Sequence, residues 1–232
     1  MNDSFFGRLK DLVTNPGRLM DNVGANPRWW QPGLLVFLVM IGFSWMTMPI
    51  SAPEQAELMR DSKVMQMIPE EAAEQQYEEA RNISPAKRLT QSGIAGFTTW
   101  LMVLIFGLIL GFFVRLGGGE GSFKQALGII SWGSVPVFVI SSLVKLPLIL
   151  QTESVFKVNI GLAALVPGAE HGSPLVLTLM TYGDFFTWWG LFLLVIGFER
   201  VYKIGRSVAV LSVLLPWVLL SAVPLALSLL FM

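Results

Sequence analysis

Gly117–Leu150 reads GGGEGSFKQALGIISWGSVPVFVISSLVKLPLIL, and this stretch decides the fold. It opens on glycines, places Lys124 at the foot of an apolar run and sets Pro136 near the middle of that run. From Gln125 to Leu150 there are 26 residues with one charge, Lys145. As a helix rising about 1.5 Å per residue, they extend about 39 Å, more than the hydrocarbon core of a bilayer at about 30 Å. The segment is long enough to cross a membrane. Pro136 should kink it, and Gly128, Ser131, Gly133 and Ser134 are small enough to admit a neighbouring helix.

The composition agrees. Hydrophobic residues make up 53% of the 232 and charged residues 14%, and the mean hydropathy is +0.62, values typical of a polytopic membrane domain. Lys plus Arg and Asp plus Glu total 16 each, which offers no basic surface for nucleic acid. The chain has no cysteine, so disulfides, thiolate metal sites and cysteine catalysis are excluded. No cleaved signal peptide is expected, because the first apolar run begins only at Gly33.

Outward from the central stretch, residues 1–32 read as a cytoplasmic lead-in. Phe5, Phe6, Leu9, Leu12 and Val13 recur at helical spacing, as in a short helix lying in the membrane interface. Asn15-Pro16 and Asn26-Pro27 should then turn the chain, and Arg28, Trp29 and Trp30 should anchor it at headgroup level. The first span is residues 33–50, ended by Pro49 and Pro53. Residues 51–92 form the one strongly polar segment, read as an acidic insert of two helices of about 15 residues, the second starting at Pro69. Leu58, Met65 and Ile68 are its candidates for packing against the membrane or a partner.

Residues 93–232 supply four more spans: Ile94–Val114, the stretch quoted above, one within Leu175–Phe198, and Val208–Leu230, which contains Pro216 and Pro224 as further kink points. Gly107 and Gly111 make a small-xxx-small face, read as a site of packing within the chain. Val158–Val166 is open between a surface helix and a re-entrant piece. On the N-terminal side of the membrane lie nine Lys and Arg, against seven on the other. By the positive-inside rule the all-α bundle has five spans, N-terminus in and C-terminus out, with the acidic insert outside.

Three motifs carry a resemblance. NPRWWQPGLLVFLV (Asn26–Val39), GGGEGSFKQALGIISWGSVP (Gly117–Pro136) and GDFFTWWGLFLLVIGF (Gly183–Phe198) resemble the Ypt-interacting, or Yip domain, family of integral membrane proteins, most of all its bacterial branch. The resemblance implies a five-span bundle with a cytoplasmic N-terminus. Eukaryotic members are adaptors that bind Rab-type GTPases. Some bacterial members resemble accessory subunits beside exporters of the ATP-binding-cassette type. The chain lacks the long N-terminal region of the eukaryotic forms, so Rab binding is not expected.

Chemistry in such a bundle should sit at charges inside the membrane. Lys145 and Asp184 are the candidates: they could form an ion pair, or Lys145 could snorkel and Asp184 cap a helix. Gly117–Gly121 is not followed by Gly-Lys-Ser/Thr and reads as a tight turn rather than a phosphate loop. His171, Ser173 and Asp184 supply the residue types of a hydrolase triad without a nucleophile elbow, and a single histidine makes no metal centre. Trp188 and Trp189 read as interface-belt residues, or else as a stacking surface for a ligand. The expectation is a non-enzymatic membrane protein without catalytic residues, metal or cofactor. It would act as a scaffold or accessory subunit through lipid contacts and a membrane or periplasmic protein bound at residues 53–88, with self-association left open. The alternative is a small transporter or channel for a lipid or other amphiphile.

Overall fold

A computed structural model describes residues 4–60, 70–165, 178–180 and 182–231. Among these the chain is helical, and the one backbone bridge is Gly161 to Asp184. The helices are α1 (Phe5–Thr14), α2 (Pro16–Ala25), α3 (Trp30–Arg60), α4 (Glu70–Arg81), α5 (Pro85–Leu116), α6 (Phe123–Ser134), α7 (Ser141–Thr152), α8 (Phe185–Val201) and α9 (Arg206–Phe231). A π-helical turn, Val135–Ile140, joins α6 to α7.

Among the described residues, four runs are long and apolar enough to cross a membrane: Trp30–Glu57, Pro85–Leu116, Phe123–Thr152 and Arg206–Val223. The fifth expected crossing, Leu175–Phe198, overlaps α8, which has 17 residues and is about 25 Å long. Residues 175–177 and 181 lie outside the described residues, as do Met65, Ile68, Pro69, His171 and Ser173. The apolar window of Phe123–Thr152 is 72% buried, against 22%, 28% and 22% for the other three, so this run is the central post. Around it stand the antiparallel pair α3 and α5, then α8 and α9.

Pro136 opens the π-helical turn. A proline has no N–H for the carbonyl four residues back, here Trp132; the Val135 N–H donates to that carbonyl instead. The small residues of α6 each meet a neighbour. A Cβ on Gly128 would stand 2.8 Å from Val23 of α2, and one on Gly133 would stand 2.4 Å from Leu194 of α8. Gly111 faces Ala126 and Gly107 faces Leu127, so the α5 glycine face packs within the chain.

The N-terminal segment turns at Asn15-Pro16 as expected, and a second helix starts there: Asn15 caps the end of α1 with its N–H and the start of α2 with its side chain, and Pro16 needs no N–H in the first turn. The resulting α1–α2 hairpin is folded into the bundle, with Leu12, Leu19, Met20 and Val23 in the core. α1 thus packs on the bundle through Leu12, while Phe6 and Val13 remain exposed.

The end of the first span differs from the expectation. α3 runs through Pro49 and Pro53 to Arg60, and the polar segment holds a 12-residue α4 before α5 begins at Pro85, capped by Ser84. Pro49 leaves the carbonyl of Trp45 without its helical donor. Arg88 on α5 supplies one: its Nε donates to Trp45 O at 2.5 Å, and its guanidinium lies 4.5 Å from the centroid of the Trp45 ring. The orphan acceptor is satisfied across the α3–α5 contact, as a backbone group near lipid must be.

Arg88→Ala is expected to destabilise the protein by about 1–3 kcal/mol, the cost of an unpaired buried acceptor. Pro49→Ala restores the missing N–H, so the double variant should recover part of that loss in thermal unfolding in detergent. Strictly additive effects would show that the two residues are not coupled.

Candidate functional site

Polar groups gather at the two ends of the bundle. At the hairpin end, Arg8 is fully buried and donates to the carbonyl of Asn26 at 3.0 Å, and Arg18 pairs with the buried Asp11, its Nε at 2.8 Å. Arg200, in the last turn of α8, makes a bidentate pair with Asp21 of α2 at 2.8 and 2.6 Å. Gln125 completes a capping box with Ser122 at the start of α6 and donates to Gly24 O at 2.8 Å, tying α2 to the post.

The glycine turn at this end serves a ring, not a phosphate. Tyr202 donates its hydroxyl to Ser122 O at 2.8 Å, and its ring lies where a Cβ on Gly121 would stand, 2.4 Å away. Gly118 has φ +87, which glycine adopts without strain. Arg115 donates to Gly121 O at 3.1 Å and closes the turn.

At the opposite end the structure brings Lys145 of α7 to Asp184, Nζ to Oδ2 at 3.6 Å. Asp184 is also the N-cap of α8, accepting from Thr187 N at 2.7 Å, so one carboxylate does both. The chain at Gly161 is drawn onto this point by Leu162 N donating to Gly183 O at 3.1 Å, which makes Leu162–Leu165 a short 3-10 turn pinned to the start of α8. The recess lined by Lys145, Asn159, Gly161 and Asp184 holds about 50 Å³, room for a few waters rather than an organic substrate. Nearby, Glu54 of α3 accepts from Ser154 Oγ and, at 2.8 Å, from Val155 N. Trp188 donates to Tyr182 O at 2.6 Å and packs edge-on against Trp217, while Trp189 packs against the core. Trp29 stacks on Trp100 of α5, and Trp30 is exposed. Pro216 and Pro224 fall within α9.

Between the ends lies a partly open cleft of about 610 Å³ among α5, α6, the π-helical turn, α8 and α9. Its lining is apolar apart from Ser134 and Thr187 and includes no titratable group. The two ends therefore hold ion pairs, and the middle holds space lined by no titratable group. Gln125, Tyr202 and Glu54 went unnoticed in the sequence. For Gln125 a signal existed, the Ser-x-x-Gln capping pattern at Ser122.

Asp184→Asn keeps the cap and loses the charge, whereas Asp184→Ala loses both. Asn is expected to cost about 1 kcal/mol and Ala about 2 in thermal unfolding, with Lys145→Met matching the Asn variant. Burial pushes the Tyr202 phenol above its ordinary value, against a smaller opposing pull from Arg115. A folded value raised above the unfolded one gives stability that is complete below about pH 10 and is lost as pH rises through the folded value. Tyr202→Phe should cost about 1 kcal/mol at neutral pH and flatten that alkaline loss in unfolding midpoints taken across pH.

Searches among curated proteins and among solved structures return no match. The family profile of the Yip1 domain matches residues 10–227. That range runs from α1 through the glycine turn and the central post into α9. The chain is a member of the Yip1 domain family of integral membrane proteins.

Proposed function

We propose that this chain is a non-enzymatic scaffold or accessory subunit of a bacterial inner membrane, working through lipid and protein contacts beside an exporter of the ATP-binding-cassette type. The observation that carries the reading is the distribution of charge: ion pairs close at the ends, and the cleft is lined by no acid or base that could activate its two hydroxyls, Ser134 and Thr187. What α3 and α5 present outward along their apolar runs is hydrocarbon. Leu38 of α3 and Met102, Leu108 and Phe112 of α5 all point outward. In this reading the chain crosses five times, with α8 and the residues before it as the fourth crossing, the hairpin end in the cytoplasm and the C-terminus outside.

The protein partner is taken at residues 53–88. α4 carries five glutamates against one arginine, with Glu71, Glu74 and Glu78 exposed, and is fixed to the base of α5 by Lys87 and Glu79 at 2.5 Å. A basic surface on a periplasmic protein complements it.

Reversing Glu71, Glu74 and Glu78 to Lys should release co-purifying protein after mild detergent extraction while leaving thermal stability within about 0.5 kcal/mol, as for exposed sites. A chain that emerges alone before and after the change would remove the scaffold reading. Because the sequence has no cysteine, Lys10→Cys and Gln75→Cys report orientation by impermeant thiol labelling of intact cells; only the second should react. The rival, a small transporter or channel for an amphiphile using Lys145 and Asp184, requires flux in vesicles that Asp184→Asn abolishes.

A further inference from the structure

The cleft at the middle of the bundle has a floor and a rim that can be told apart by exposure. Ile130, Leu191 and Leu194 line it and are buried, while Met102 and Ile105 of α5 and Leu220 of α9 line it and are exposed. The opening is therefore sideways, between α5 and α9, at a level where neither helix carries a charge and both belong to runs long and apolar enough to cross a membrane. Gly133 and Gly190 also line the space; a Cβ on either would strike the facing helix, so their close approach forms a wall of the cleft.

We propose that this cleft is a binding site for one acyl chain of a bilayer phospholipid, with the headgroup remaining at the membrane surface. Size argues for a chain rather than a transmembrane helix. A helix with its side chains is about 10–12 Å across and advances only about 1.5 Å per residue, so 610 Å³ admits little more than one turn. Polarity argues against water or a headgroup: Ser134 already donates its hydroxyl to Ser131 O at 2.8 Å, and no charge lines the space. An apolar hollow inside a membrane is filled by whatever apolar matter reaches it, and through a lateral opening that is the neighbouring lipid. The close packing of α6 on α8 forms the back of the cleft, so the site is held by the fold and need not be induced. The inference is separate from the scaffold reading, since a bound chain is compatible with any protein partner or none.

The test is native mass spectrometry of the full chain released from nanodiscs of defined phosphatidylcholine and phosphatidylethanolamine. The wild-type protein should retain one phospholipid. Ile105→Trp and Leu220→Trp, at the two lips, should each lower the retained fraction about tenfold, the loss that follows when roughly two methylene groups are displaced. Leu108→Trp, exposed on α5 but away from the cleft, should retain lipid as the wild type does. All three positions face outward, and thermal unfolding midpoints verify that each variant is folded. No retained lipid in the wild type, equal loss in the Leu108 variant, or a dimer that Ile105→Trp dissociates would each overturn the proposal, the last in favour of a second copy seated at the opening.

Discussion

The bundle depends on one close approach, α6 against α8 through two facing glycines. A Cβ on Gly190 would stand 2.8 Å from the carbonyl oxygen of Gly133, and one on Gly133 would strike Leu194. With no hydrophobic effect between helices in lipid, association rests on van der Waals fit and interhelical polar contacts, and small residues are what let two backbones come this near. Because α8 is a stiff rod held at its middle, both of its termini are placed at once. Its first residue is presented to α7 and its last turn to α2, so the ion pairs at opposite ends are consequences of a single contact.

What was readable in the sequence is what lipid enforces locally. An uncharged run of sufficient length reports a helix without reference to anything distant, and the apolar runs at 33–50, 94–114, 125–150 and 208–230 all fall within helices. The glycine face of α5 and the place of Pro136 follow from the same local chemistry. The proline signal misled where its partner was remote. Pro49 reads as a stop until Arg88, 43 residues beyond Trp45, is seen to take over the orphaned Trp45 carbonyl. Asn15-Pro16 is a true break, and what the sequence did not announce is the second helix that Asn15 starts.

The site was legible by the same division. Lys145 and Asp184 stood out because a charge in an apolar run is costly and needs an answer. Gln125 and Tyr202 did not, since their acceptors are main-chain oxygens 101 and 80 residues away, and no side-chain pattern encodes a carbonyl. The cleft is the least legible feature of all, since its lips come from helices far apart in the chain.

The juxtaposition of Lys145 with Asp184 also bears on how the protein meets the electric field of an energised membrane. Each elementary charge moved through the full field would exchange about 2.3 kcal/mol per 100 mV. Two opposite charges a few ångströms apart, fixed to helices that travel together, do almost no net work. Rearrangement of this end of the bundle should then be indifferent to voltage and answer only to what touches it.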